Sequence, residues 1–159
     1  MRTGDNEWDR NLYRHPSREG LFAQEDYIMQ HDVYSLGVCL LELGLWESFV
    51  CYEKEVGDAT GEKKRLSTGL GLSLDSFQFQ TEESILSPKV KAHLVDLARR
   101  RLPSRMGDKY TSVVITCLTC LDPGNEDFGD DEEMRDDDGV LVGVRFIEKV
   151  LLKLDEIAL

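Results

Sequence analysis

The sequence predicts a mainly α fold. Three stretches carry apolar residues at helical spacing, and a fourth is apolar nearly all round over a length that strands rarely reach. No stretch shows the apolar–polar alternation of a half-buried strand above this background. At 159 residues the chain is long enough for one domain with its own core.

Taken in order, residues 1–30 are polar and aromatic with little periodicity, and Pro16 and Gly20 interrupt any regular element. Residues 32–46, from Asp32 to Trp46, are apolar on almost every face, the pattern of a helix buried all round, with Asp32 as the candidate N-cap. Residues 51–86 mix four glycines (Gly57, Gly61, Gly69, Gly71) with a basic cluster, Lys63-Lys64-Arg65, and are expected to form a long loop or insertion.

Ser87-Pro88 marks a helix start, a capping residue followed by proline at the first helical position. Val90, Leu94, Leu97 and Ala98 line its apolar face. Arg99-Arg100-Arg101 suit the negative end of its dipole, and Pro103 is expected to stop it. Asp108 opens the next helix, whose core face is Tyr110, Val113, Val114, Cys117, Leu118 and Leu121. An acidic loop over 122–139 separates it from a final helix over about 140–157, in which Val140, Val144, Ile147, Val150, Leu151, Leu154 and Ile157 are the expected buried set.

Charge narrows the partners. With 19 Lys+Arg against 31 Asp+Glu the formal net charge is -12, which repels phosphate backbones and anionic lipid, so neither nucleic acid nor membrane is the expected partner. Nine of the acids fall between Glu126 and Asp138, and the remainder of the chain is closer to balance. That run fits no EF-hand spacing, with Arg145 where the closing glutamate belongs, and reads as a solvated loop or a contact for a basic partner. No uninterrupted apolar run is long enough for a membrane helix, and the first residues lack a signal-peptide core. Cys39, Cys51, Cys117 and Cys120 lie mostly in apolar runs and read as reduced core residues of a cytoplasmic protein. Cys117-x-x-Cys120 lacks the second pair that a zinc site needs and falls inside a helix, so no metal is expected there.

The order of the motifs resembles the C-terminal lobe of a protein kinase. Tyr13-Arg14-His15-Pro16-Ser17 is similar to the Tyr-x-Ala-Pro-Glu end of an activation segment. Asp32-Val33-Tyr34-Ser35-Leu36-Gly37 matches the Asp-Val-Trp/Tyr-Ser-x-Gly pattern that opens the central helix of that lobe. Cys117-Leu118 and Asp122-Pro123 match its next landmark, and a final amphipathic helix agrees. The acidic insertion and the His-Pro variant resemble fungal kinase-like modules, some of which follow a helical prion-inhibition (HeLo-type) domain.

The resemblance implies a helical C-lobe with the N-lobe absent. It gives structural roles to Asp32, which would hold the catalytic loop through backbone N–H groups, to Gly37, which would let helices approach, and to Pro16, which would fix the substrate loop. Tyr13, Arg14 and His15 become candidates for touching a peptide substrate. The partner of this chain is then a protein or the missing N-lobe. ATP and Mg would be cofactors of a complete parent kinase; this chain is expected to hold no cofactor and no catalytic residue, because only 14 residues precede His15 and the phosphate cradle, lysine and catalytic loop belong upstream. A free-standing, non-catalytic helical interaction module is the alternative.

Three strings imitate the missing parts. Asp127-Phe128-Gly129 and Met134-Arg135-Asp136 spell kinase motifs on the wrong side of the central helix and in inverted order, and Gly69-Leu70-Gly71 has no third glycine at position 74. One departure matters physically. The kinase ion pair between the last residue of Ala-Pro-Glu and a later arginine falls here on Ser17 and Glu126. Stranding one buried charge costs about 3–5 kcal/mol, whereas losing both partners need not, and Arg18 is a candidate to pair with Glu126 or a nearby acid instead.

Overall fold

The computed structural model describes residues 8–18, 27–54, 62–71, 79–80, 83–84, 88–128 and 140–157. Its helices are α1 (Trp8–Asn11), α2 (Met29–Leu45), α3 (Pro88–Leu118), α4 (Val140–Phe146) and α5 (Leu152–Asp155), with a π-helical turn, Ile147–Leu151, joining the last two. The chain is mainly α, as the periodicity predicts.

Helix α2 begins three residues before Asp32. The residue before it, Ile28, is extended, and its N–H is satisfied by His31 Nδ1 at 3.0 Å, so an imidazole performs the capping expected of Asp32. Asp32 instead sits in the first turn, where its charge suits the helix dipole. At the other end Trp46 adopts a left-handed conformation (φ 56°), its N–H returning to Leu43 O, and Arg105 Nη1 donates to Leu45 O at 2.6 Å. A guanidinium on the last carbonyls satisfies acceptors that the helix cannot.

Pro103 does not stop α3. The helix continues for another turn and breaks at Gly107, whose φ of 79° no side-chain-bearing residue adopts cheaply. A proline removes one backbone bond and bends a helix, but neighbouring packing can carry the chain past it. Asp108 then opens the second segment, as its sequence position predicts. Ser87, the expected cap, lies outside the described residues.

Among the described elements, α2 and α3 contact each other most extensively. Val33, Tyr34, Val38, Leu41 and Leu45 of α2 and Leu94, Leu102, Val113, Val114, Cys117 and Leu118 of α3 belong to one core. A Cβ built on Gly37 would meet Cys117 Cβ at 2.8 Å, and one on Gly44 would meet Leu102 Cδ2 at 2.6 Å, so the two backbones approach where α2 lacks side chains. Buried Tyr110 ties the helices by donating to Leu40 O at 2.6 Å.

Residues 51–86 are not simply a loop. Strands β1 (Val50–Lys54) and β2 (Glu62–Leu66) form an antiparallel hairpin, Val50 facing Leu66 and Cys51 facing Arg65, and a second small pair joins β3 (Phe79–Gln80) to β4 (Glu83–Ser84). Buried Val50 and Leu66 anchor the first hairpin to the core, and Arg65 pairs with Glu53 across it. Cross-strand charge, rather than apolar alternation, marks these strands, which is why the period-2 signal is missing.

The final helix covers part of the set the spacing selects: Val150 is buried, and Leu154 and Ile157 are half-buried against the core. Val142 and Val150 are buried, while Val140, Val144, Ile147 and Leu151 are exposed. Both faces are apolar, so periodicity alone cannot choose between them. Of the acidic loop, residues 122–128 form turns, and 129–139 lie outside the described residues.

Candidate functional site

The segment before α2 folds back on that helix. Tyr13 donates its hydroxyl to Glu42 Oε1 at 2.5 Å, and the same oxygen accepts the Phe49 N–H at 2.8 Å. Burial, followed by the hydrogen bond to Glu42, pushes the Tyr13 phenol far above its ordinary range, so it stays protonated. Pro16, half-buried, opens a 3-10 turn that ends at Arg18. Arg14 reaches back to Asn11 Oδ1 at 3.5 Å. Two of the three candidate substrate-loop side chains, Tyr13 and His15, therefore point at α2, and Arg14 lies half-buried beside α1.

Ser17 occupies the centre of a hydrogen-bond relay. His15 Nδ1 lies 2.9 Å from Ser17 Oγ and accepts the Ser17 backbone N–H at 3.2 Å, and Ser17 Oγ lies 3.1 Å from His31 Nε2. The two imidazole centroids are 5.9 Å apart, and His15 stands edge-on to Tyr34 at 5.1 Å. Burial, then Lys91 and His31, lower the His15 pKa to about 4, against a smaller upward pull from Asp122. Glu126 is exposed, and a serine between two histidines stands where the kinase motif has its glutamate. A neutral hydroxyl beside a neutral His15 needs no buried counter-charge.

Asp32 stands exposed on the same end of α2 and accepts a hydrogen bond from Tyr27. That bond, with some burial, raises the Tyr27 phenol above its usual value. Asp32 begins an open stripe. Asp32, Cys39, Leu43 and Trp46 are exposed, with half-buried Leu36 between the first two, at spacings of four, three, four and three residues. Leu43 is 60% exposed and Trp46 86%. This helix is apolar all round, yet one face lies open.

The imitating strings have structural explanations. Asp127 accepts the Thr116 hydroxyl at 2.9 Å and pairs with Lys149 at 3.4 Å, joining α3 to the final helix, and Phe128 is core. Asn125 organises the same turn by accepting the Asp127 and Phe128 N–H groups. Gly69 leaves room for Glu47, whose carboxylate takes Arg101 Nη2 at 3.0 Å while Arg101 Nη1 holds Gly69 O at 3.0 Å. The arginine cluster thus serves Asp96, through Arg100, and Glu47, through Arg101. Met134, Arg135 and Asp136 lie outside the described residues.

The cysteines divide. Cys117 and Cys120 are buried, both thiols pushed up to about 12 chiefly by burial, and Cys120 donates to Gln30 O. Cys39 is exposed and Cys51 half-buried, so neither is the core residue its apolar run predicts. No group of His, Cys, Asp and Glu among the described residues forms a metal-binding cluster. None of their helices is long and apolar enough to cross a membrane.

Two features escape the sequence. Asp9 is buried on α1, with Lys64 Nζ at 3.1 Å and the Tyr52 hydroxyl at 3.3 Å, which fastens α1 to the hairpin. The His15–Ser17–His31 relay joins two elements, and the sequence, with its histidines scattered, implied no serine partner for them. Comparisons with protein-family models, curated proteins and solved structures gave no match.

Proposed function

We propose that this chain is the substrate-side half of a protein-kinase-like domain, a scaffold that transfers no phosphate by itself and whose open α2 face receives the rest of the domain. The observation that carries this reading is the mismatch on α2. A helix apolar on almost every side belongs inside a protein, and here a stripe through Leu36, Cys39 and Leu43, with Asp32 at its head, faces outward. The motif Asp32-Val33-Tyr34-Ser35-Leu36-Gly37 opens that same helix, and by resemblance Asp32 would meet the catalytic loop there. The turn at Pro16 and the side chains of Tyr13 and His15 brace the substrate loop against it. ATP and Mg would belong to the assembled parent.

The test is the native reading frame, followed by thiol labelling. A frame that extends upstream through a Lys-bearing strand, His-Arg-Asp and Asp-Phe-Gly, in a longer protein where Cys39 reacts at least tenfold more slowly than in this chain, supports the reading. A native protein whose intact mass matches this chain, with Cys39 equally reactive, overturns it.

The second apolar stripe, Val140, Val144, Ile147 and Leu151 on the final helix, favours the alternative of a non-catalytic interaction module. A stable, monodisperse native protein of this length that captures a partner through that helix would establish the module instead.

A further inference from the structure

The proton positions in the relay follow from its partners. His31 Nδ1 accepts the Ile28 N–H, so the proton of the neutral ring is on Nε2 and is donated to Ser17 Oγ. Ser17 then has its own hydroxyl proton to give, and among the described residues the acceptor within reach is His15 Nδ1, which also receives the Ser17 N–H. His15 Nδ1 accepts twice and carries no proton. Its other nitrogen, Nε2, is buried without a hydrogen-bond partner.

We propose that the His15–Ser17–His31 relay is an acid-released latch that holds residues 15–18 on the first turn of α2. A proton added at His15 Nδ1 points an N–H at the Ser17 N–H. Even if Ser17 Oγ then accepts from both rings, the Ser17 hydroxyl loses its acceptor and the backbone amide faces a donor. The new charge is buried among unfavourable neighbours. Lys91 of α3 and His31 of α2 oppose it; the uncharged Tyr34 ring of α2 stands at 5.1 Å, and Arg18 follows on the same turn. Among the described residues Asp122, after α3, pulls the other way, and it is already paired with Lys91. Release is the cheaper route to a charged imidazole. This inference uses contacts within the chain and does not depend on the kinase-like reading.

The sign is fixed by linkage. His15 titrates near 4 when latched and near the ordinary 6.5 when released, so the latch is at full strength above 6.5 and weakens as pH falls from 6.5 to 4. Opening should rise roughly tenfold between pH 7.5 and 5.5.

Amide hydrogen exchange on the full chain tests this, with intrinsic rates divided out. Ser17 N–H is held by His15 Nδ1 and Arg18 N–H by His15 O at 2.8 Å, so both should lose about tenfold protection from pH 7.5 to 5.5 while α2–α3 core amides do not. His15→Asn places a non-titrating acceptor where Nδ1 lies, as in an Asx-turn, and should flatten the pH dependence. Protection that is constant, that falls in parallel with the core, or that falls equally in His15→Asn overturns the latch. Should that variant fail to fold, nitrogen NMR of His15 in the unaltered chain decides. A bare Nδ1 at neutral pH with a titration midpoint below 6.5 supports the latch; a protonated Nδ1, or a midpoint at or above 6.5, rejects it.

Discussion

Trp46 and the four cysteines show how far a single residue's surroundings govern its behaviour. Trp46 carries a left-handed backbone that favours glycine, and its ring is 86% exposed, so it gives little packing in return. Trp46→Gly should stabilise the chain by about 0.5–1 kcal/mol, read as a rise in denaturation midpoint. A loss instead would mean that the ring is covered in solution. The cysteines make a sharper prediction. A thiol reagent needs thiolate and access. Cys117 and Cys120 offer neither, being buried with pKa values near 12, whereas Cys39 and Cys51 are within reach. Burial, then Glu42, raises the Cys39 thiol, so it should react below the rate of a free cysteine. Two thiols should label in the native chain and all four after denaturation; native labelling of Cys117 would contradict the packing of α2 on α3. The apolar run around Cys39 concealed its exposure, because a run shows that a helix is apolar and does not say which side is covered.

At the scale of elements, helices were legible wherever one face alone was apolar. Val90, Leu94, Leu97 and Ala98 on the first segment of α3, and Tyr110, Val113, Val114, Cys117 and Leu118 on the second, are all buried as their spacing predicts. Where the pattern was degenerate it misled. The final helix offers two apolar faces, and the expected set took Val150, Leu154 and Ile157 from the covered one and Val140, Val144, Ile147 and Leu151 from the open one. The β1–β2 hairpin was hidden because its strands are mostly charged and are held at their base by Val50 and Leu66. The latch was illegible for another reason: it joins His31 to Ser17 across 14 residues of chain, and no periodicity encodes such a meeting. The α2–α3 crossing gives the test at this scale. An alanine methyl at Gly37 would lie 2.8 Å from Cys117 Cβ and 3.1 Å from Leu118 N, the second a backbone atom that cannot step aside alone. Gly37→Ala should therefore cost about 1–3 kcal/mol by overpacking, measured by urea denaturation. An Ala variant of wild-type stability would show that the helices can separate freely, against the close approach described above.

For the whole molecule, the open face of α2 is the feature with the largest consequence. Leu41 and Leu43 are two residues apart on one helix, the first fully buried and the second 60% exposed. If the chain folds alone as described, Leu41→Ala should cost about 2–5 kcal/mol through lost burial and a residual cavity. At roughly 2–4 °C per kcal/mol for a chain of this size, that is a large drop in Tm. Leu43→Gln should stay within about 0.5 kcal/mol, because it removes apolar surface that water already touches. It should also reduce self-association, since an open apolar stripe is a surface on which chains meet. Thermal unfolding and sedimentation of the two variants side by side separate the cases. If Leu43→Gln is as damaging as Leu41→Ala, the stripe is covered even in the isolated chain, and α2 has no free face. If Leu43→Gln leaves this chain intact but destabilises a longer native protein, the cost in that protein measures what the rest of the domain gains by covering α2.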